Sequence, residues 1–333
     1  MKKNVLVTGA SGFIGSFIIE EAIKKNYQTI AAIRKSSSKK YLSNPQLNFI
    51  DLDLSKDEDL DKSLQKFIKE FGSLDYVIHT AGVTKSINKS DFDDVNFYNT
   101  KRFVEALQRN NLVPEKFVFI SSLASYGAGA DSTPIKANKQ QQPLTEYGKS
   151  KLKAENYLRS IPNFPSITVN PTAVYGPRDK DFFVLLKSIS NHVEVYINND
   201  KQLLSFVHVN DLVDAIFIAM ESSAFNQNLI VSDLENYTSR QFNDLVKKAL
   251  NVKTVSIIIP AFIASFFAVF AEAIGHIKGK TPLLNRERLK EFKAKNWSVD
   301  ATPIAALGYK PKYKLEEGLM NAISWYKKEG WIK

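Results

Sequence analysis

The sequence predicts an α/β protein: a Rossmann-type doubly wound parallel sheet followed by a smaller, mostly helical C-terminal substrate-binding part. Three observations predict it. A glycine-rich turn, Gly9-Ala10-Ser11-Gly12-Phe13-Ile14-Gly15, follows a short apolar run and opens a segment of helical period. Short, continuously apolar segments then alternate with helical ones through the first half, as they do where strands are buried on both faces. After Tyr175-Gly176-Pro177 this alternation loosens, and Pro260, Pro282, Pro303 and Pro311 punctuate the rest.

In order along the chain, Asn4–Thr8 reads as a buried strand. Residues 13–25 read as a helix on the spacing of Phe13, Phe17, Ile18 and Ala22. Strands are expected at 29–33 and 47–51, a helix at 60–71, a strand at Tyr76–His79, a helix at Asn99–Arg109 and a strand at 117–120. Residues 146–158 read as a helix and 167–170 as extended. Residues 207–220 and 229–231 read as a helix and a strand returning to the sheet. The expected division is a dinucleotide-binding unit over 1–176, rejoined by 203–232, and a substrate-binding part over 177–202 and 233–333.

Composition narrows the class. The 333 residues suit one large α/β unit with a smaller one, and 44% hydrophobic with 24% charged residues is ordinary for a globular protein. There is no cysteine, which excludes disulfides, thiol nucleophiles and cysteine-held metals and suits the reducing cytoplasm. The start, MKKNVLVTGA, lacks the apolar run and cleavage site of a signal peptide, so a cytoplasmic location is expected. The net charge of +10 comes from scattered basic residues and reads as a solvated surface. No motif for reading nucleic acid is present. His79, His192, His208 and His276 are dispersed, so no metal site is expected, and His208 reads as an N-cap before Asn210-Asp211.

Residues 255–271 are uncharged and rich in Ile and Phe. The apolar stretch from Pro260 to Glu272 is shorter than the about 20 residues that span a bilayer. The expectation is a helix covering the substrate cleft. Membrane contact through 256–271 is the less favoured alternative.

The glycine turn carries the first functional signal. Gly9 permits the tight turn, Gly12 lets the backbone approach a pyrophosphate, and Gly15 lets the helix pack on the strand. The phosphates would sit at the helix N-terminus, where free N–H groups favour negative charge. Ser11, Phe13 and Ile14 complete the cofactor-binding turn. At the end of the second strand, Arg34-Lys35-Ser36 stands where NAD-binding folds usually carry an acid for the ribose 2′-hydroxyl. Arg34, with Lys35 beside it, suits a 2′-phosphate, so NADP is favoured over NAD.

The second signal is Tyr147-Gly148-Lys149-Ser150-Lys151. Tyr147 and Lys151 are four apart and share one helix face. A phenol near pKa 10 is a poor acid or base at neutral pH. A neighbouring ammonium lowers that value and can also hydrogen-bond a cofactor ribose. Ser122, just beyond the 117–120 strand, would orient the substrate oxygen. Ser122, Tyr147 and Lys151 therefore read as a catalytic set for proton transfer coupled to hydride transfer.

The chain resembles the extended short-chain dehydrogenase/reductase family, the NAD-dependent epimerase/dehydratases. VTGASGFIG, DYVIHTAG, FVFISSLASYG, EYGKSKLKAE, NPTAVYGPRD and FVHVNDLVDA carry the resemblance, in family order over roughly residues 1–220. The resemblance implies that Asp53 and Leu54 contact the adenine, that Ala81 and Gly82 lie beside the adenine ribose and pyrophosphate, and that Pro171 and Val174 line the nicotinamide. It implies a bracing role for Asn96 with Thr100, and a homodimer as the common assembly. Three features bear on the branch. Leu123-Ala124 follows Ser122 where sugar dehydratases carry Asp-Glu. Ala173 stands where many nucleotide-sugar epimerases carry Asn, and Asn170 replaces the usual Arg, which puts the local bracing in question. The Phe-rich segment, Pro282-Leu283-Leu284-Asn285-Arg286, Leu307-Gly308-Tyr309 and the final Trp325, Tyr326 and Trp331 resemble the 3β-hydroxysteroid-dehydrogenase-like and dihydroflavonol-reductase-like branch.

The expected function is an NAD(P)-dependent oxidoreductase interconverting a secondary alcohol and a ketone on a moderately apolar small molecule. Two alternatives stay open. One is a nucleotide-sugar epimerase with tightly bound NAD, in which Arg178 and Arg286 face a diphosphate. The other is a non-catalytic NADP-binding regulatory protein.

Overall fold

The structure is a computed structural model that describes residues 2–279, 281–282 and 285–332; Leu283, Leu284 and the His276 side chain lie outside the described part. The strands are β1 (Asn4–Thr8), β2 (Gln28–Ile33), β3 (Asn48–Asp51), β4 (Tyr76–His79), β5 (Lys116–Ile120), β6 (Ser166–Pro171), β7 (Ala173–Tyr175), β8 (Val193–Ile197), β9 (Leu203–Leu204), β10 (Phe206–His208), β11 (Asn228–Val231), β12 (Tyr237–Thr238) and β13 (Val255–Ile259). The helices are α1 (Phe13–Lys24), α2 (Asp57–Phe71), α3 (Ser90–Phe92), α4 (Asn99–Arg109), α5 (Glu146–Ser160), α6 (Lys180–Ser190), α7 (Val209–Glu221), α8 (Ser239–Leu250), α9 (Ala261–Lys278), α10 (Arg286–Lys293), α11 (Thr302–Ala306) and α12 (Leu315–Lys328). A π-helical stretch, Asp93–Tyr98, joins α3 to α4.

Seven parallel strands form the central sheet in the order β11-β6-β5-β4-β1-β2-β3. This is a Rossmann-type α/β fold. Successive side chains point to opposite faces, so each strand feeds two cores. On one face Val5, Val7, Ala31, Ile78 and Val118 pack under α1 and α7. On the other, Leu6, Ile30, Val77, Phe117 and Phe119 pack under α2, α4 and α5. Strand order reverses between β1 and β4, which pair at Thr8 and His79. A crevice opens beyond the carboxyl ends at such a switch point, and ligands bind there.

A third core, around Tyr175, Phe182, Phe206, Phe242, Leu319 and Tyr326, holds α6, α8 and α12 together. Ala301, Ile304 and Tyr309 belong instead to the first core, against the sheet. The apolar run 255–271 divides at Pro260. Its β-branched first part is β13, paired in parallel with β8, and α9 follows. Proline cannot donate to a ladder and suits the first turn of a helix, which sets the boundary.

Candidate active site

One cleft of about 1400 Å³ runs along the carboxyl ends of the strands and over α9 and α10. The glycine turn lines it through Gly9, Ser11, Gly12, Phe13, Ile14 and Gly15. So do Arg34, Asp53, Leu54, Ala81, Gly82, Pro171 and Val174, together with Ser122, Tyr147 and Lys151. Lys35 does not. Its exposed ammonium lies 3.8 Å from Asp51.

The glycine turn fits an anionic dinucleotide. Gly12 caps α1 without a side-chain bond, and no acid stands in the first turn. The opening amides of α1 thus have no side-chain partner, which is the cradle a pyrophosphate requires. A Cβ on Gly15 would lie 2.2 Å from the Gly9 carbonyl oxygen, so only glycine lets α1 sit this close to the turn.

Ser122 follows β5 and caps the short turn Leu123–Ser125, its Oγ accepting from the Ala124 N–H at 3.2 Å. Thr145 caps α5 in the same way, accepting from Gly148 N–H at 3.1 Å. A Cβ on Gly148 would stand 2.3 Å from the Ala124 carbonyl oxygen. That close approach presses the first turn of α5 onto the Ser122 turn and brings the Tyr147 phenol to the Ser122 hydroxyl. Burial pushes Tyr147 up to about 12; Ser122 and Arg288 pull it back and Glu291 adds to the rise. One turn on, Lys151 is buried. Its Nζ donates to the Ile120 carbonyl oxygen at 2.9 Å and lies 4.9 Å from the Phe119 ring centroid. Burial draws Lys151 down to about 8, with Glu155 opposing. The ammonium is thus occupied by a strand-end carbonyl, and Ser122 is the neighbour that lowers the phenol's pKa against burial.

The supports around the site are polar and buried. Asn96 accepts from Val83 N–H at 2.8 Å and donates to Ser150 Oγ at 2.9 Å, and Thr100 donates to the Asn96 carbonyl oxygen. These bonds tie the loop after β4 to α5. Asn170 donates to Glu155 at 2.8 Å, so the bracing that an arginine would supply is made here by an amide and a carboxylate. His208 caps α7, its Nδ1 accepting from Asn210 N–H at 3.3 Å. Among the described residues no cluster could hold a metal ion.

The substrate half of the cleft differs from expectation. The phenylalanines of α9 do not line it. Phe262, Phe266, Phe267 and Phe270 are exposed on the opposite side, and α9 contributes Glu272 and Gly275 to the cleft. The expected apolar cover is therefore absent. Aromatic side chains such as Phe206 and Trp297 alternate there with Lys85, Arg286, Arg288, Glu287 and Glu291. Asp181 pairs with both Lys85 and Arg288. Arg178 turns to α1, donating to Ser16 at 3.0 Å and Glu20 at 2.6 Å, so of the two arginines expected at a diphosphate only Arg286 stands on the substrate side. Arg286 apart, sequence reasoning missed the site residues of α10. Glu291 faces Tyr147, and burial raises its pKa. Glu287 accepts from Glu146 N–H at 2.8 Å and fastens α10 to the start of α5. The available signal was Asn285, which caps α10 by accepting from Arg288 N–H.

Comparison with known proteins agrees with this geometry. The chain is 24% identical to a putative UDP-glucose 4-epimerase of Methanocaldococcus jannaschii, covering 97% of this chain and 98% of that protein. It is 27% identical to the N-acetyl-α-D-glucosaminyl-diphospho-ditrans,octacis-undecaprenol 4-epimerase of Escherichia coli O157:H7, covering 98% and 96%. The solved UDP-glucose 4-epimerase of Thermotoga maritima with UDP-glucose superimposes with a TM-score of 0.78 at 21% identity, covering 98% and 99%. Residues 5–231 match one family description. That span is more than half of the chain and includes the glycine turn, Ser122, Tyr147 and Lys151, and by it this chain belongs to the NAD dependent epimerase/dehydratase family.

Proposed function

We propose that the chain is an epimerase of a diphosphate-linked sugar that keeps its nicotinamide dinucleotide bound through the reaction. The observation that carries this reading is the set Lys85, Arg286 and Arg288 on the substrate half of the cleft, interleaved with carboxylates and aromatic rings. Basic groups suit a diphosphate, carboxylates accept from sugar hydroxyls, and rings suit a sugar or base face. The apolar-ketone reading loses the support it drew from the phenylalanines of α9, which turn outward. The two full-length relatives named as epimerases favour the same choice.

When bound, the dinucleotide supplies the hydride acceptor and donor. Tyr147, as phenolate, would accept the proton of the sugar hydroxyl when that alcohol is oxidised and return it to the keto oxygen on reduction, and Ser122 orients that oxygen. Lys151 supplies positive charge one helical turn away. Leu123 and Ala124 give the site no acid pair beside Ser122, which argues against dehydration. A second reading, an exchangeable-cofactor dehydrogenase or reductase, is favoured by Arg34, Ser37 and Lys40 at the adenosine end of the cleft, and with it goes the preference for NADP.

The test is the protein as purified, incubated with UDP-glucose or UDP-N-acetylglucosamine without added cofactor. Equilibration with the 4-epimer is expected, and Tyr147→Phe should slow it about 100-fold or more. Net consumption of added NADPH on a ketone, with no epimer formed, would replace this reading with the second. Full cellular function in Tyr147→Phe with cofactor still bound would leave only a non-catalytic role.

A further inference from the structure

α9 is built inside out. Its inward face is small, with Ala264 and Ala268 buried against Leu289 of α10. Its outward face is large and apolar. Phe262, Phe266 and Phe270 are 75%, 71% and 61% exposed, and Ile277 is 86% exposed. Positions 262, 266, 270 and 274 lie four apart, with 263 and 267 in the adjoining row, so the rings form one stripe. Ile257 and Ile258 of β13 are exposed as well. Isolated soluble proteins rarely leave such a contiguous patch in water.

Charge is sorted around the stripe. Residues 253–295 contain eight basic and three acidic side chains. The acids, Glu272, Glu287 and Glu291, all line the cleft. Lys253, Lys278, Lys290 and Lys293 are exposed, and Lys290 and Lys293 flank Val269 in the groove between α9 and α10. An aromatic stripe with a basic margin complements an anionic bilayer surface. A second copy related by a two-fold axis would instead press the basic margin against itself.

We propose that α9 docks the chain on anionic phospholipid membranes, with its phenylalanines in the interfacial layer and Lys290 and Lys293 at the headgroups. The contact lies on the surface: no helix among the described residues is long and apolar enough to cross a membrane. Glu272 and Gly275 of the same helix line the cleft, with Thr281 and Pro282 beyond them. Docking therefore sets the substrate half of the cleft beside the bilayer.

Flotation of the full chain with phosphatidylglycerol-containing vesicles, against pure phosphatidylcholine, tests the proposal. Binding to the anionic vesicles is expected. Phe266→Ser/Phe270→Ser should weaken it by about tenfold or more, with the thermal melt unchanged because both rings are already solvated. Lys290→Glu/Lys293→Glu should weaken it about tenfold on anionic vesicles only. No flotation, or flotation indifferent to the phenylalanine pair, overturns the proposal. So does a dimer that the phenylalanine pair dissociates and that never floats. Flotation needs no turnover: a chain that floats but forms no epimer sustains the docking and removes the epimerase reading.

Discussion

Arg34 and Lys35 are neighbours in sequence with opposite fates. Arg34 lines the cleft just beyond β2, its backbone N–H donating to Ser37 Oγ at 3.1 Å, whereas Lys35 is exposed 3.8 Å from Asp51 and is not part of the lining. The turn that follows β2, closed by Ser37 N–H on the Arg34 carbonyl, separates them, and a motif match alone does not show which of the two lines the cleft. A 2′-phosphate would meet the Arg34 guanidinium with charge-assisted hydrogen bonds, and a 2′-hydroxyl would find no acid at that position. On the exchangeable-cofactor reading, NADPH is therefore expected to bind more tightly than NADH. Arg34→Ala should cost NADPH about 1.5–3 kcal/mol, roughly 10- to 100-fold in Kd, and leave NADH nearly unchanged. Titration of both cofactors against both proteins decides it, and equal affinities in the wild type would remove the NADP preference. Residues whose role depends on a local turn were legible in this way: the glycine turn, Ser122, and Tyr147 with Lys151. Arg288 and Glu291 were not. They meet Tyr147 only through the tertiary fold, as Glu287 meets Glu146 across 141 residues, and no local spacing announces such a contact.

At the scale of elements, α5 and β6 are joined through one carboxylate. Glu155 is fully buried. One of its oxygens accepts from Asn170 and Ser121, the other from Gln141 at 2.6 Å and Asn228 at 2.8 Å. The network links α5 to β6, β11 and the segment that ends in Ser122. A glutamine at 155 would turn an N–H₂ group toward at least one pair of donors and leave them unpaired. Glu155→Gln is expected to cost about 2–4 kcal/mol, read as a lower urea midpoint with an unchanged slope. A loss below about 0.5 kcal/mol would show that the bonds are replaceable. The seven strands of the central sheet were all legible, the inner ones because a strand buried on both faces is largely apolar, the edge strand β3 through Phe49 and Ile50 although Asp51 is exposed. The second half was read less well. α8 announces itself with a capping box, Thr238 and Gln241, and α12 with acids in its first turn and lysines in its last. β13 was absorbed into the apolar run that follows it. Short strands whose partners are distant in sequence, as β13 and β8 are, carry little local signal.

At the scale of the whole molecule, acid sensitivity is set where the sheet reverses. His79 joins β4 to β1 and to α4, with Nδ1 2.7 Å from Thr8 Oγ1 and Nε2 2.9 Å from Thr100 Oγ1. Thr100 donates its hydroxyl hydrogen to the Asn96 carbonyl, so it accepts from His79 Nε2–H, and Nδ1 accepts from Thr8. The neutral ring is fully paired. Burial, with a smaller push from Lys151, holds the folded pKa down to about 3, against about 6.5 in the unfolded chain. Above pH 6.5 both states are neutral and His79 adds no pH dependence. Between about 6.5 and 3 the unfolded chain takes a proton that the folded one refuses, so stability falls by about 1 kcal/mol per pH unit. Asp179 and Asp233, raised by burial to about 6, bind protons in the folded state and oppose this trend. The total acid curve therefore mixes signs, and the informative quantity is a difference between proteins. His79→Gln keeps an amide donor and acceptor but cannot titrate. Urea unfolding of both proteins from pH 7 to 4.5 should show the wild-type advantage shrinking steadily below pH 6.5, by about 2 kcal/mol across the range. A constant difference would mean that the ring charges within the folded sheet, and that the Thr8–His79–Thr100 chain does not hold it neutral.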